Sequence, residues 1–479
     1  MKKKNFRSFA IIIVIILTGT TAGASDVHSI WEPVNYDLDL RVDFRAEKIY
    51  ADCNITIKNV TGEPVDEIPL MLYRLLHVTS ITDSHNNNLP FVQNVTSFQD
   101  HPKLQVNAIQ VTLPENIAEG ANYTLHLSYE GYMLGYAGEI GAAYRERIEE
   151  PFTILRSETL VFPHPGNPTL ESLFRFIFFA HDYRATITVP DHLVVANGGE
   201  LLDKTDSNGL VSYTYRNIKP AWRMDFPIAS YEIAEEDGIK IFYFSEIEEG
   251  VDRVLDLTKR TLQLFTEWFG PLKDFRNFSI IQIPDNYGAQ ADVISILQTA
   301  DVFTNEDANI GLYHELSHLW HPMETKPFPP CRWNEGLATF LQYLAAEKLD
   351  NRPGLVDRMS ERLRNEFVNQ CKNIPRCMET PFIDHGQTMM YDLSYNKGMV
   401  LFHLLFELIG KDAFMDLIGN YYKKYYDTGG STHDLTAMIK ELPFKGVSRF
   451  VEEWFYGTES NEYLAAGKSV EEIVRLYQK

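Results

Sequence analysis

The chain has 479 residues, 44% of them hydrophobic and 13% aromatic, which is enough for more than one core and excludes a disordered chain. Its 66 acidic and 44 basic residues give a formal net charge of −22. That excludes nucleic acid as a partner, because phosphate binding needs clustered Lys and Arg; the acidic balance reads as solubility charge.

The N-terminus has a basic head (Lys2, Lys3, Lys4, Arg7), an apolar run from Phe9 to Leu17, and a small-x-small site at Ala22-Gly23-Ala24. This pattern predicts a secretory signal peptide over 1–24 and a secreted or extracytoplasmic protein, with an uncleaved anchor as the alternative. The apolar run is short for a span. No membrane span is expected after cleavage, since the apolar stretch from Met399 to Ile418 contains Glu407, Lys411, Asp412 and Asp416. Sequons at Asn54, Asn59, Asn94, Asn122 and Asn277 each mark surface in an exported chain. Export also permits disulfides among Cys53, Cys331, Cys371 and Cys377. Three full pairings are open; Cys371 with Cys377 closes the shortest loop.

From Asn35 to Tyr231 the elements are strands. Tyr36 to Phe44 alternates apolar and polar, as do Ile55 to Ile57 and Tyr123 to Tyr129, and Ala185 to Val189 ends at Pro190. Many short strands separated by turns predict a mostly antiparallel sandwich or open sheet over 25–236. Near residue 236 the character changes. Two strands, Lys240 to Phe244 and Phe278 to Ile283, are followed by apolar residues at helical spacing in Asp252 to Phe269, Gly311 to Trp320, Gly336 to Leu349 and Lys397 to Ile409. The fold class is therefore α+β: a β-rich, sandwich-like domain, then a mainly helical domain over 237–479. Pro327, Pro329 and Pro330 break the chain between two of those helices.

The chemistry lies in Tyr313-His314-Glu315-Leu316-Ser317-His318. Residues i and i+4 share one helical face, so His314 and His318 can bind one metal, with Glu315 beside them to take a proton from water. A catalytic zinc with three protein ligands keeps one position open, and Glu335, opening the next helix, is the third candidate. Taken alone, Glu335 would read as an acid favoured at a helix start. Tyr395, in Ser394-Tyr395-Asn396-Lys397-Gly398, could donate to an oxyanion. His321 is either a loop residue or a partner of a ligand, and Arg223 either binds a substrate carboxylate or forms a structural ion pair.

Taken in order, these segments resemble the gluzincin zinc metallopeptidases of the membrane alanyl aminopeptidase and leukotriene A4 hydrolase type. The resemblance rests on Asn35-Tyr36-Asp37-Leu38-Asp39-Leu40, the His-Glu-x-x-His helix, Asn334-Glu335-Gly336-Leu337-Ala338-Thr339-Phe340, Tyr395-Asn396-Lys397-Gly398 and Trp454 near the end of the catalytic domain. It implies a thermolysin-like catalytic domain behind a β-rich domain, without the long helical C-terminal domain of larger members. It further implies one Zn2+ per chain on His314, His318 and Glu335, Glu315 as general base, Tyr395 as transition-state stabiliser, and a peptide or protein substrate. Aminopeptidases of this family carry Gly-x-Met-Glu-Asn, whose Glu holds the substrate's free amine. The matching substrate-binding stretch here is Gly288-Ala289-Gln290-Ala291-Asp292, with Ala291 at the Glu position. Strict aminopeptidase action is thus in question, with an endopeptidase, another hydrolase on the same zinc site, or a non-catalytic scaffold as rivals.

Overall fold

The computed structural model describes residues 31–134, 147–176, 179–285, 287–326, 330–386 and 390–479. The signal-peptide segment 1–24 and the prolines at 327 and 329 lie outside these. The chain forms two compact units. The first comprises the chain up to Glu248, with Asn277–Gly288 and Asp292–Ala300; the second comprises Glu249–Arg276, Ala289–Ala291 and Asp301–Lys479. The boundary expected near 236 rests on composition. Packing places the later strands Ile239–Tyr243, Phe278–Ile283 and Ser295–Thr299 with the first unit.

The first unit is built from sheets. Its largest runs, edge to edge, Glu200–Ser207, Leu210–Arg216, Asp182–Pro190, Trp31–Asp43, Lys48–Asn59, Asn122–Tyr132 and Leu76–Asp83. Every neighbouring pair is antiparallel except Trp31–Asp43 with Asp182–Pro190, where Leu38 faces Ala185. The alternation seen in the sequence is the burial pattern: Tyr36, Leu38, Leu40 and Val42 point into the core while Asp39 and Arg41 are exposed. A second sheet orders Phe91–Ser97, Gln105–Ile117, Val65–Tyr73 and His164–Pro165, all antiparallel. Leu70, Leu72, Val106 and Val111 from it share one apolar cluster with Leu38, Ile55 and Leu127 from the first, which gives the sandwich-like core. The strand Phe278–Ile283 pairs in parallel with both Ile239–Tyr243 and Ser295–Thr299. All six of its residues are buried, as expected of a strand covered on both faces.

Two expectations from sequence need amending. Asn54, Asn94, Asn122 and Asn277 are exposed, but Asn59 is 0% exposed. Its amide donates to the carbonyls of Glu63 (2.8 Å) and Ile117 (2.9 Å), so that sequon marks an internal turn rather than surface. Cys371 and Cys377 form a disulfide with Cα atoms 5.1 Å apart, while Cys53 and Cys331 are free and buried.

The second unit is helical. At its centre lies Trp333–Leu349, buried on nearly all sides as expected of a helix apolar around its circumference. Three helices pack on it: Asn309–Ser317, Leu355–Cys371 and Tyr391–Ile409. Asn309–Ser317 tightens into a 3-10 turn over His318–Trp320. Trp320 is fully buried, and its indole donates to the Gly270 carbonyl at 2.9 Å. Where Trp333–Leu349 crosses Tyr391–Ile409, Gly336 meets Gly398. A Cβ on Gly336 would stand 2.5 Å from the Gly398 Cα, and one on Gly398 would stand 2.7 Å from the Gly336 Cα. Only paired glycines permit that approach. Among the described residues no helix is long and apolar enough to cross a membrane.

Candidate metal centre

The crossing brings the start of one helix beside another. His314 lies in the last turn of Asn309–Ser317, His318 one turn on, and Glu335 in the first turn of Trp333–Leu349. Three atoms converge. His314 Nε2 lies 3.2 Å from His318 Nε2 and 3.3 Å from Glu335 Oε2, and His318 Nε2 lies 3.4 Å from the same oxygen. These three residues form the single grouping of His, Cys, Asp or Glu with metal-ligand spacing among the described residues. Donors about 2.0–2.1 Å from one zinc at tetrahedral angles stand about 3.3–3.4 Å apart, so the donor set fits the ion in both type and spacing.

The surrounding groups fix the rings. His314 Nδ1 is 2.8 Å from Gln342 Oε1, an acceptor that holds the ring proton on Nδ1 and leaves Nε2 its lone pair. Gln342 is seven residues, two helical turns, beyond Glu335. Sequence reasoning missed it; that face-sharing offset is the signal that could have found it. His318 Nδ1 lies 3.0 Å from His321 Nδ1. His321 is thus no free loop residue but the partner of a proposed ligand.

Electrostatics agree with the geometry. Burial alone would raise the Glu335 carboxyl, but His318, Arg332 and hydrogen bonds from His314 and His318 hold it well below the ordinary carboxylate range. Burial lowers His314, yet Glu335 and Glu315 more than offset it and raise that imidazole. Glu315 is 8% exposed at the next helix position. Burial, followed by the charge of Glu335, raises the Tyr395 phenol, which therefore keeps its proton. The Tyr395 ring stacks on His314, centroids 6.0 Å apart and planes 12° from parallel. Arg332 was also missed: its Nη2 donates to Glu335 Oε1 at 3.0 Å and to the Tyr395 hydroxyl at 3.2 Å.

The remaining expected site residues divide between the units. Ala289, Gln290 and Ala291 belong to the second, where the short strand Gln290–Ala291 packs against Asn309–Ser317. Gly288, with φ +75°, and Asp292 belong to the first. There Asp292 is pushed up to about 6 by burial, offset in part by Arg223. Arg223 itself forms a structural ion pair, with Nη1 2.8 Å from Asp225 and 3.2 Å from Glu158.

Residues 255–454 match the profile of the Peptidase family M1 domain, a span that contains all three converging residues and ends at Trp454. The helical part of the chain is thus similar to an M1 peptidase domain. Similar proteins include Aminopeptidase M1-D of Oryza sativa subsp. japonica, 21% identical over 58% of this chain and 34% of its own length. Human endoplasmic reticulum aminopeptidase 1 is 21% identical over 93% of this chain and 49% of its own length. The chain thus spans roughly a third to a half of the curated relatives it matches. Among solved structures, a mutant M1 zinc metallopeptidase from Deinococcus radiodurans bound to a Tyr-Ser-Ala substrate superposes with a TM-score of 0.67. It is 19% identical and is covered over 94% of its length by 89% of this chain. A two-domain M1 zinc metallopeptidase mutant bound to L-arginine is also similar, at a TM-score below that. The β-rich first part and helical second part of this chain thus share the fold of two-domain M1 structures.

Proposed function

We propose that this chain is an exported zinc peptidase whose metal is held by His314, His318 and Glu335. The observation that carries the reading is the triangle of donor atoms with sides of 3.2 to 3.4 Å. Bound zinc would supply Lewis acidity toward a scissile carbonyl and toward water. Glu315 carries the proton: its carboxylate accepts one from the attacking water and passes it to the departing amine. Tyr395, held protonated, donates a hydrogen bond to the oxygen that gains charge. Gln342 keeps the His314 ring in the tautomer a ligand needs.

Glu315→Gln preserves shape and removes the base. The purified variant should hold one zinc per chain while peptide turnover drops about a hundred- to ten-thousandfold. Undiminished turnover in that variant would falsify the assignment.

The substrate reading is a peptidase with weakened demand for a free amino terminus. Ala291 offers no carboxylate where an ammonium would need a counter-charge. Peptides with free and with acetylated N-termini should therefore be cut at comparable rates. A strong preference for the free amine would restore strict aminopeptidase action. Export is supported by the basic-apolar-small N-terminal pattern, by four exposed sequons and by the Cys371–Cys377 disulfide. Mass analysis of the chain from the producing cell should show loss of residues 1–24; an intact Met1 would exclude cleavage.

A further inference from the structure

Arg332 breaks two local rules. It occupies the N-cap of Trp333–Leu349 with φ 59° and ψ 42°, a left-handed conformation that a side chain other than glycine rarely adopts. It also places a cation at the positive end of a helix dipole, where acids are favoured. Residues that violate local preference persist where the surrounding structure, or a function, requires them.

The reason lies in what the guanidinium reaches. Glu335 presents Oε2 to the two imidazoles, while Oε1 accepts from Arg332 Nη2 at 3.0 Å. The same nitrogen carries a second hydrogen, and Tyr395 Oη accepts it at 3.2 Å. The guanidinium carbon stands 5.4 Å from the Tyr395 ring centroid. One group therefore orients the non-ligating oxygen of a metal-binding carboxylate and the hydroxyl of the residue that meets the reacting oxygen. With its lone pair engaged by Arg332, the Tyr395 hydroxyl directs its own proton at an acceptor, which in this structure is the Glu335 carboxylate.

We infer that Arg332 is a positioning residue for the reaction, coupling the third zinc ligand to the transition-state donor. The inference rests on the zinc-peptidase reading above. It differs from a structural cap because it moves quantities a cap would not. Arg332→Met keeps the length of the side chain and removes the fork; Arg332→Lys restores charge but not the planar donor geometry.

The test measures zinc dissociation constants by chelator competition, and steady-state kinetics at saturating zinc, on the full-length protein. Arg332→Met should weaken zinc about ten- to a hundredfold, the range for losing a partner of a metal ligand. At saturating zinc its kcat should fall while KM stays near wild type. Arg332→Lys should recover part of the zinc affinity and less of kcat. In a Tyr395→Phe background, Arg332→Met should cost much less in kcat, because the hydroxyl it orients is gone. Wild-type zinc affinity and kcat in Arg332→Met would overturn the inference. Weaker zinc with unchanged kcat would confine the role to Glu335 and overturn the link to Tyr395. Should the wild-type protein bind zinc yet cut no peptide, the peptidase reading fails, and zinc affinity still decides whether Arg332 orients Glu335.

Discussion

Two clusters of ionisable side chains in this molecule, one buried and one half-buried, differ in construction. In the β-rich unit, Arg156 (1% exposed) and Arg223 face Glu158 and Asp225, with Nε of Arg156 3.3 Å and Nη1 of Arg223 2.8 Å from the Asp225 carboxylate. Cations there meet anions, and burial is offset by the partner's charge. In the helical unit, His314, His318 and Glu335 instead turn three electron-pair donors toward one point. Without a metal, only a proton on an imidazole Nε2 can bridge them, and a metal cation can take that proton's place. A cluster closed upon itself is structural, and a cluster open at its centre asks for a ligand.

The sharpest way to break this contrast is to remove one member from each side. Glu335→Ala should cost more than a hundredfold in zinc affinity, beyond the loss typical of a second-layer partner, and should change the thermal stability of the metal-free protein little, because the two imidazoles can become neutral. Asp225→Ala should do the reverse. It leaves Glu158 as the one carboxylate of the cluster facing two buried guanidinium groups and should lower stability by about 3–5 kcal/mol in denaturant unfolding, with zinc affinity retained. If Asp225→Ala weakened zinc as much as Glu335→Ala, the division into structural and functional clusters would not stand.

A smaller effect sharpens the comparison from a third place. Lys397 is fully buried beside the rings of Phe367 and Phe382 and the imidazole of His385, and among the described residues its Nζ has no hydrogen-bond acceptor. Burial pushes its ammonium down to about 7 from 10.5. Between those values the unfolded chain holds a proton that the folded chain has released, so stability rises with pH across that window and is flat above it. Lys397→Met should remove that rise, measured as denaturation midpoints from pH 7 to pH 10. An unchanged slope would place the cation's charge in the folded core after all. Here neither pairing nor metal answers the buried charge, and shedding the proton does.

How much of this was legible in the sequence follows from the range of each contact. The strand Tyr36 to Phe44 and the pair His314 and His318 follow from periods of two and nearly four, so local pattern sufficed. Glu335 was reached through the motif that follows the break at Pro330. Gln342 escaped because its partner His314 is 28 residues away, and Arg332 because only one of its two partners, Glu335, is local while Tyr395 is 63 residues away. Asn59 misled for the converse reason: its tripeptide reads as surface, while Ile117, 58 residues on, takes its amide inside.

The contact of Gly336 with Gly398 carries a consequence for redesign. Because bare main chain meets bare main chain next to Glu335 and three residues after Tyr395, the spacing of that pair is a property of two rods rather than of the side groups between them. Side chains around the proposed zinc ligands can then be exchanged with the separation of Glu335 and Tyr395 held constant.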